Sequence, residues 1–357
     1  MKILFLCKRR PQGKDLLTRP YGRFFYIPYW LSKRGHEVYI LLLSYKKEPA
    51  VQIEKDGIYW LSESLYPWGP LKYIAKANGL VRTLEPDWIV GFSDTYYGIL
   101  AEKLGSKYGI KSVIDAYDNY ESYIPWFKPL HSVWRKAIAK ATRVIAAGPD
   151  LGDYLNTFRP HKTVSTVPMA ADPAFVSLNK KECRQKLGLP VDKKLVGYAG
   201  SIHKSRGIEL FFKIFEKWRC EAPEILFLLS GRKDKKIDLP QPIKWLGYLS
   251  DEQMPLLLNS LDVLLVINKP SSFGNFSYPV KLYEAMACQI PVVVSDVLGS
   301  KWILKDHPQF LARDALDFAE KIKSVLALDR FDYGYQETWE DCCNLFEANL
   351  LDSMFKP

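Results

Sequence analysis

Histidine is scarce: His36, His131, His161, His203 and His307 are the only five in 357 residues. None has the His-Glu-x-x-His spacing that places two zinc ligands on one helix face. The six cysteines (Cys7, Cys183, Cys220, Cys288, Cys342 and Cys343) form no Cys-x-x-Cys pair, and the adjacent Cys342 and Cys343 do not easily bridge one another. A metal site and a disulfide framework are therefore not expected, and the thiols read as structural groups in a reducing compartment. The sequence has no Gly-x-Ser-x-Gly elbow and no Walker loop, which argues against serine hydrolases and P-loop ATPases. No apolar run approaches the roughly 20 residues that cross a bilayer. The N-terminal MKILFLCKRR has only a short apolar run before its charges, unlike a secretion signal. The expectation is a cytoplasmic protein with at most peripheral membrane contact.

What is present is an ordinary globular mixture, 48% apolar and 25% charged, in a chain too long for one core and well suited to two α/β domains. The net charge of +10 is unevenly placed. Residues 1–175 hold 25 Lys/Arg against 16 Asp/Glu, whereas residues 176–357 hold 25 against 24. A basic first half suits an anionic partner such as a membrane surface or a phosphorylated lipid. Nucleic acid is a weaker match, because the basic and aromatic residues fit no known module.

Short β-branched runs alternate with helical patterns. Strands are expected at Lys2–Cys7, Glu37–Leu43, Trp88–Phe92, Ser112–Ala116 and Arg143–Ala147, with helices at Phe24–Arg34, Tyr97–Tyr108 and Val133–Ala141. The pattern then restarts. Strands are expected at Lys194–Tyr198, Glu224–Ser230, Leu261–Ile267 and Pro291–Ser295, and helices at Ile208–Arg219, Val280–Cys288, Asp314–Ala327 and Gln336–Met354. Such alternation implies parallel sheets covered on both faces. Domains are expected at residues 1–178 and 179–334, with residues 335–357 forming a closing helix. Two such sheets create a cleft beyond their strand ends, which favours a reaction between two substrates.

The most informative segment is Ser271–Ser300. A glycine-bearing loop leads to Pro279, a residue suited to a first helical turn. Ser277 and Tyr278 sit at the end of the helix that offers free N–H groups to phosphate. Glu284 follows about one and a half turns later, where a carboxylate can accept both ribose hydroxyls. A second segment, Gly197–Gly207, pairs a strand with a loop in which Gly200 admits close backbone approach and Arg206 can grip phosphate with two donors.

The run PVKLYEAMA from Pro279, followed by IPVVVSD, resembles the donor motif of the family 4 retaining glycosyltransferases, which have the GT-B fold. The resemblance implies two Rossmann-like domains, a nucleotide-sugar donor and no metal cofactor. It implies that Glu284 binds ribose, that Gly200, Ser201, Ser277, Tyr278, Pro279 and Val280 line the donor, and that Arg206 and Lys281 stabilise the leaving diphosphate. Gly247 and Tyr248 resemble the segment beside the nucleotide base. Val167–Phe175 resembles the interdomain crossing, and Tyr335–Leu351 the helix that returns to the first domain. The sequence departs from the pattern at three places. Phe276 stands where the family often has an acidic residue that contacts the transferred sugar, a residue absent from the Pro-x-Lys form that this sequence fits, and Tyr117 and Ser201 stand where a histidine and an arginine are often found. Asp118 remains beside Tyr117 as a candidate for contacting donor or acceptor.

The implied reaction moves a sugar from a UDP- or GDP-sugar to a lipid-linked or envelope-glycan acceptor with retention of configuration. Trp126, Phe127, Trp134, Arg135, Lys136, Lys140 and Arg143 interleave aromatic and basic residues, a combination suited to an anionic membrane surface. The alternatives are a non-catalytic partner of the same fold with a degenerate donor site, and a nucleotide-sugar epimerase, for which no convincing acid–base set is found.

Overall fold

The computed structural model describes residues 1–159 and 163–351. The chain divides into two compact units. One comprises Met1–Met169 together with the segment from Glu337, and the other Ala170–Gln336.

The first unit begins with β1 (Lys2–Lys8), α1 (Arg23–Lys33), β2 (Glu37–Ser44), β3 (Val51–Lys55) and β4 (Ile58–Ser64). It continues through α2 (Leu71–Leu84), β5 (Trp88–Gly91), α3 (Thr95–Tyr108) and β6 (Lys111–Ala116), then α4 (Lys128–Lys140), β7 (Arg143–Ala146), α5 (Pro149–Asn156) and β8 (Ser165–Thr166). Among the described residues its strands form one sheet in the order β3-β4-β2-β1-β5-β6-β7-β8. Every pairing is parallel except β3 with β4. The central run Ile3–Cys7 is buried throughout, which is why β1 reads as a continuous apolar stretch rather than an alternating one.

The hairpin β3–β4 and helix α2 were not anticipated. The hairpin turn carries Asp56 and Gly57, both left-handed with φ of 58° and 78°. This Asp-Gly pair suits the two-residue turn whose twist matches an antiparallel ribbon. β3 is an edge strand, and its exposed Gln52, Glu54 and Lys55 discourage pairing with another chain.

The second unit contains α6 (Lys180–Lys186), β9 (Leu195–Ala199), α7 (Ile208–Glu221), β10 (Leu226–Ser230), β11 (Lys244–Trp245) and α8 (Gln253–Ser260). Then come β12 (Val263–Val266), α9 (Val280–Ala287), β13 (Val292–Ser295), α10 (Leu298–Ile303), β14 (Leu311–Ala312) and α11 (Ala315–Val325). Its strands are all parallel, in the order β11-β10-β9-β12-β13-β14. This is the doubly wound order, in which the chain reverses its direction of travel between β9 and β12. At the opposite, N-terminal ends of those strands, Asp262 accepts from Arg184 at 2.6 Å and from the Leu195 N–H at 2.7 Å. Burial pushes the Asp262 carboxyl up, but the Leu195 N–H, Lys180 and Arg184 outweigh it and hold the group below its usual range. The bolt keeps β9 and β12 adjacent while leaving their C-terminal ends to loops.

After the second unit the chain returns to the first through α12 (Trp339–Leu351). Trp339 stacks on Tyr26 of α1 at 5.8 Å, and Glu347 accepts from Arg34 at 2.7 Å. Residues 352–354 of the expected Gln336–Met354 helix lie outside the described residues, as does His161.

Candidate functional site

In the second unit, three loops leave the C-terminal ends of β9, β10 and β11 and are joined by backbone hydrogen bonds. The Gly200 N–H donates to Ser230 O at 2.9 Å, Ile202 N–H to Arg232 O at 2.9 Å, and Gly231 N–H to Gly247 O at 2.8 Å. The contact is too close for side chains. A Cβ on Gly231, whose φ is 134°, would stand 1.9 Å from the Gly200 oxygen. Tyr198 steadies the first loop by donating to Ser201 O at 3.1 Å.

These loops enclose a recess of about 450 Å³ lined by Ser201, Ile202, His203, Arg206, Arg232, Lys233 and Asp234. Its cations lean on aromatic rings. The Arg206 guanidinium lies 4.8 Å from the Phe273 ring centre, Arg232 lies 5.0 Å from Tyr248, and Lys233 Nζ lies 5.8 Å from Trp245. A ring orients a cation without cancelling its charge. The one carboxylate in the lining, Asp234, pairs with His203 at 3.3 Å. The arrangement suits an anion.

The loop after β12 meets the recess at one point, where the Phe273 ring lies against Arg206. Its first turn is tight: a Cβ on Gly274 would stand 1.9 Å from Lys269 O. The chain then runs through Ser277 and Tyr278 to Pro279, the N-cap of α9, where no side chain caps the helix. The first N–H groups of a helix have no partner within it, and they favour an anion. Ser277 is buried because Gly299 of α10 admits its carbonyl, at 2.2 Å from where a Cβ would be. Tyr278 is also buried, edge-on to Trp302 at 5.6 Å. Its ring packs inward, so its ligand-facing contribution is its backbone. Along α9, Lys281 donates to Glu284 at 2.5 Å and lies 5.4 Å from the Phe175 ring centre. Glu284 is 7% exposed. The pair is spaced i,i+3 on one face, so a ligand reaching Glu284 meets a carboxylate already oriented by Lys281.

The structure thus brings Gly200, Ser201, Arg206, Gly247 and Tyr248 together around one recess. Ser277, Tyr278, Pro279, Val280, Lys281 and Glu284 lie on the adjoining segment, and the Arg206–Phe273 contact joins the two sets. Arg232, Lys233 and Phe273 were missed by sequence reasoning. For Arg232 and Lys233 a signal existed: two basic residues follow a glycine at the end of a buried strand, the position where parallel sheets bind ligands.

Asp118 belongs to the first unit, just beyond β6, where it accepts from Tyr123 at 2.7 Å. Tyr117 is buried, edge-on to Phe24, with its hydroxyl oxygen 3.2 Å from that of Tyr123. Burial, with Asp118 nearby, pushes its hydroxyl well above the usual range, so it is neutral at physiological pH. Beneath this loop Arg23 and Asp115, both fully buried, pair at 2.6 Å, and Arg23 also donates to Val167 O and Pro168 O.

One sequence expectation needs correction here. Trp134 does not join Trp126 and Phe127 at the surface. It is 1% exposed, because His131, Trp134, Ala137 and Ile138 form the inward face of α4 and the Trp134 ring fills the space left by Gly98. Trp126, at 78% exposure, and Phe127 remain outside with Lys128, Lys136 and Lys140.

Comparison with known proteins bears on both units. The profile described as Glycosyltransferase Family 4 matches residues 29–175, and that described as Glycosyl transferases group 1 matches residues 193–327. Among curated proteins, the putative teichuronic acid biosynthesis glycosyltransferase TuaC of Bacillus subtilis is 22% identical over 72% of this chain. The D-inositol 3-phosphate glycosyltransferase of Stackebrandtia nassauensis is 25% identical over 49%. The matched stretches span only 64% and 46% of those two relatives. Among solved structures, sucrose-phosphate synthase from Thermosynechococcus elongatus superposes with a TM-score of 0.74 at 15% identity, covering 99% of this chain and 97% of that one. HepE from Anabaena, solved in complex with UDP, gives 0.72 at 17% identity over 99% of this chain and 100% of its own.

Proposed function

Because the chain belongs to the family 4 glycosyltransferases and has their GT-B fold, we propose that it transfers a sugar from a UDP- or GDP-sugar to a lipid-linked or envelope-glycan acceptor. The observation that carries this reading is the cationic recess beside the uncapped start of α9, with Glu284 buried on the same helix. The likeness to HepE, which is solved with UDP and with UDP-glucose, supports a uridine donor, and the likeness to TuaC supports an envelope-glycan acceptor.

In this account Glu284 accepts the ribose hydroxyls, and Lys281 holds its carboxylate in place. The backbone from Ser277 to Val280 and the Gly200–Ser201 turn bind the diphosphate, while Gly247 and Tyr248 border the base. Arg206 stabilises the negative charge that grows on the diphosphate as the glycosidic bond to it breaks. Configuration is retained: the acceptor hydroxyl attacks from the face the diphosphate leaves, and a donor phosphate oxygen takes its proton. Asp118, on the loop after β6 in the first unit, is a candidate ligand of the acceptor. Catalysis then rests on positioning and charge rather than on a protein nucleophile.

Thermal shift against UDP-, GDP-, ADP- and dTDP-sugars tests the donor site. A selective rise with one nucleotide in wild type, lost in Glu284→Ala, is expected. No rise with any of them would refute the site. Phe276, Tyr117 and Ser201, standing where the family often carries acidic, histidine and arginine side chains, favour one second reading, a non-catalytic partner. Nucleotide binding without release of free diphosphate in the presence of acceptors would select it.

The exposed Trp126 and Phe127 beside Lys128, Lys136 and Lys140 support peripheral contact with an anionic membrane. Sedimentation with phosphatidylglycerol vesicles at low salt is expected for wild type and reduced in Trp126→Ala/Phe127→Ala. Equal sedimentation of both proteins would remove these residues from the contact.

A further inference from the structure

The family's donor loop often places an arginine directly after its first glycine, and this chain has Ser201 there. We propose that Arg232, one strand over, supplies the missing cation and is a second ligand of the donor diphosphate. The inference rests on the donor-site reading above and adds a residue to it.

The backbone register makes the substitution possible. The loop after β9 and the loop after β10 are zipped together by Gly200 N–H to Ser230 O and Ile202 N–H to Arg232 O, both 2.9 Å, and by Asp234 N–H to Ile202 O at 3.1 Å. In this parallel register Ile202 stands across from Lys233, so Arg232, whose carbonyl accepts the Ile202 N–H, stands across from position 201. The missing charge is moved sideways by one strand rather than removed. Arg232 lines the same recess as Ser201 and Arg206, so two guanidinium groups meet one anion site. Two such groups can share the oxygens of a diphosphate, each through charge-assisted hydrogen bonds.

The neighbours of Arg232 fit this role. Its guanidinium lies 5.0 Å from the Tyr248 ring centre, and Tyr248 follows Gly247, whose carbonyl accepts the Gly231 N–H and the Ser230 hydroxyl. The platform beneath Arg232 is therefore anchored to the same three-loop junction that forms the recess. Arg206 has an equivalent platform in Phe273. Lys233, the next cation in the lining, donates to Ile237 O at 2.7 Å, which directs its ammonium to its own loop. Asp234 would repel phosphate if it faced it alone, but it pairs with His203 at 3.3 Å and accepts the Lys236 N–H at 3.0 Å.

The test is calorimetric titration of the full chain with UDP and GDP and with UMP and GMP, for wild type, Arg232→Ala and Arg232→Ala/Ser201→Arg. Wild type is expected to prefer one diphosphate over its monophosphate. Arg232→Ala is expected to cut that preference by about tenfold to a hundredfold, as loss of a charged hydrogen-bonding partner does. Restoring arginine at position 201 is expected to recover most of it, an outcome that a purely structural role for Arg232 would not give. Arg232→Ala that keeps the preference overturns the assignment, as does equal weakening of diphosphate and monophosphate, which would place Arg232 on the nucleoside or α-phosphate that the two share and not on the β-phosphate. Wild type that binds no diphosphate overturns the donor site itself, and the assignment with it.

Discussion

The two units share a doubly wound parallel sheet, yet they use arginine in opposite ways at the loop-bearing ends of their strands. In the first unit the arginines meet carboxylates. Arg23 pairs with Asp115 where both are fully buried, and Arg9 and Arg10 are tied to Asp15 and Glu48. In the second unit the arginines of the recess lie over rings, Arg206 on Phe273 and Arg232 on Tyr248. A carboxylate fixes an arginine and neutralises it. An aromatic face fixes it and leaves the charge for a ligand, at a modest gain of about 0.5–1 kcal/mol at an exposed site. The same residue type therefore builds structure in one unit and an anion site in the other.

The contrast is most easily broken at Asp115. Asp115→Ala leaves Arg23 buried without its counter-charge, and a loss of about 3–5 kcal/mol in the stability of the first unit is expected. Denaturant unfolding measures it, with the two units followed separately because two-state behaviour is not assured. A loss well under 1 kcal/mol would show that the Val167 and Pro168 carbonyls alone satisfy the guanidinium.

Arg206→Ala is the reciprocal change. It is expected to lower turnover by about two to three orders of magnitude, like removal of a key charge stabiliser, while the unfolding midpoint stays unchanged. Unchanged turnover would remove Arg206 from the mechanism, and a large stability loss would make it a structural arginine like Arg23.

The smallest expected effect concerns acid. Hydrogen bonding from Arg10, helped by Ser44 and Arg9, holds the Glu48 carboxyl down at about 2, from an ordinary 4.5. A depressed carboxyl stabilises the folded state above its unfolded value, so this contribution is present above about pH 4.5 and fades as pH falls towards 2. Glu48→Gln is expected to flatten the pH dependence of first-unit stability across that window. Arg206 belongs to the second unit, so Arg206→Ala should leave this first-unit slope as it is. An unaltered slope in Glu48→Gln would show that Glu48 is not the group that matters.

The parallel strands β1, β2, β5, β6, β7, β9, β10, β12 and β13 were legible in the sequence because each carries a short apolar run, such as Ile3–Cys7 and Val292–Val294, whereas the two-residue strands β8, β11 and β14 are too short to show one. Glu284 and Lys281 were named from their place near a helix start and from the resemblance of the PVKLYEAMA run, and the structure sets the two on one face of α9, three residues apart. The hairpin at Val51–Ser64 was missed although its Asp56-Gly57 turn was visible, since the apolar face of β3 is only Val51 and Ile53, set among Gln52, Glu54 and Lys55. Trp134 was placed outside because its basic neighbours drew attention, whereas the spacing of His131, Trp134, Ala137 and Ile138 marks the buried stripe of α4. For Arg232 the basic pair after Gly231 was visible in the sequence, and only its neighbour was hidden. Its place beside Ser201 arises from the pairing of two strands distant in sequence, which no local pattern encodes.

The most direct test of the donor site is a crystal structure of the full chain with the nucleoside diphosphate selected by the thermal-shift panel. The account predicts ribose hydroxyls on the Glu284 carboxylate and phosphate oxygens at the Arg206 guanidinium and the start of α9. A nucleotide bound elsewhere in the chain, or one whose ribose turns away from Glu284, would contradict it.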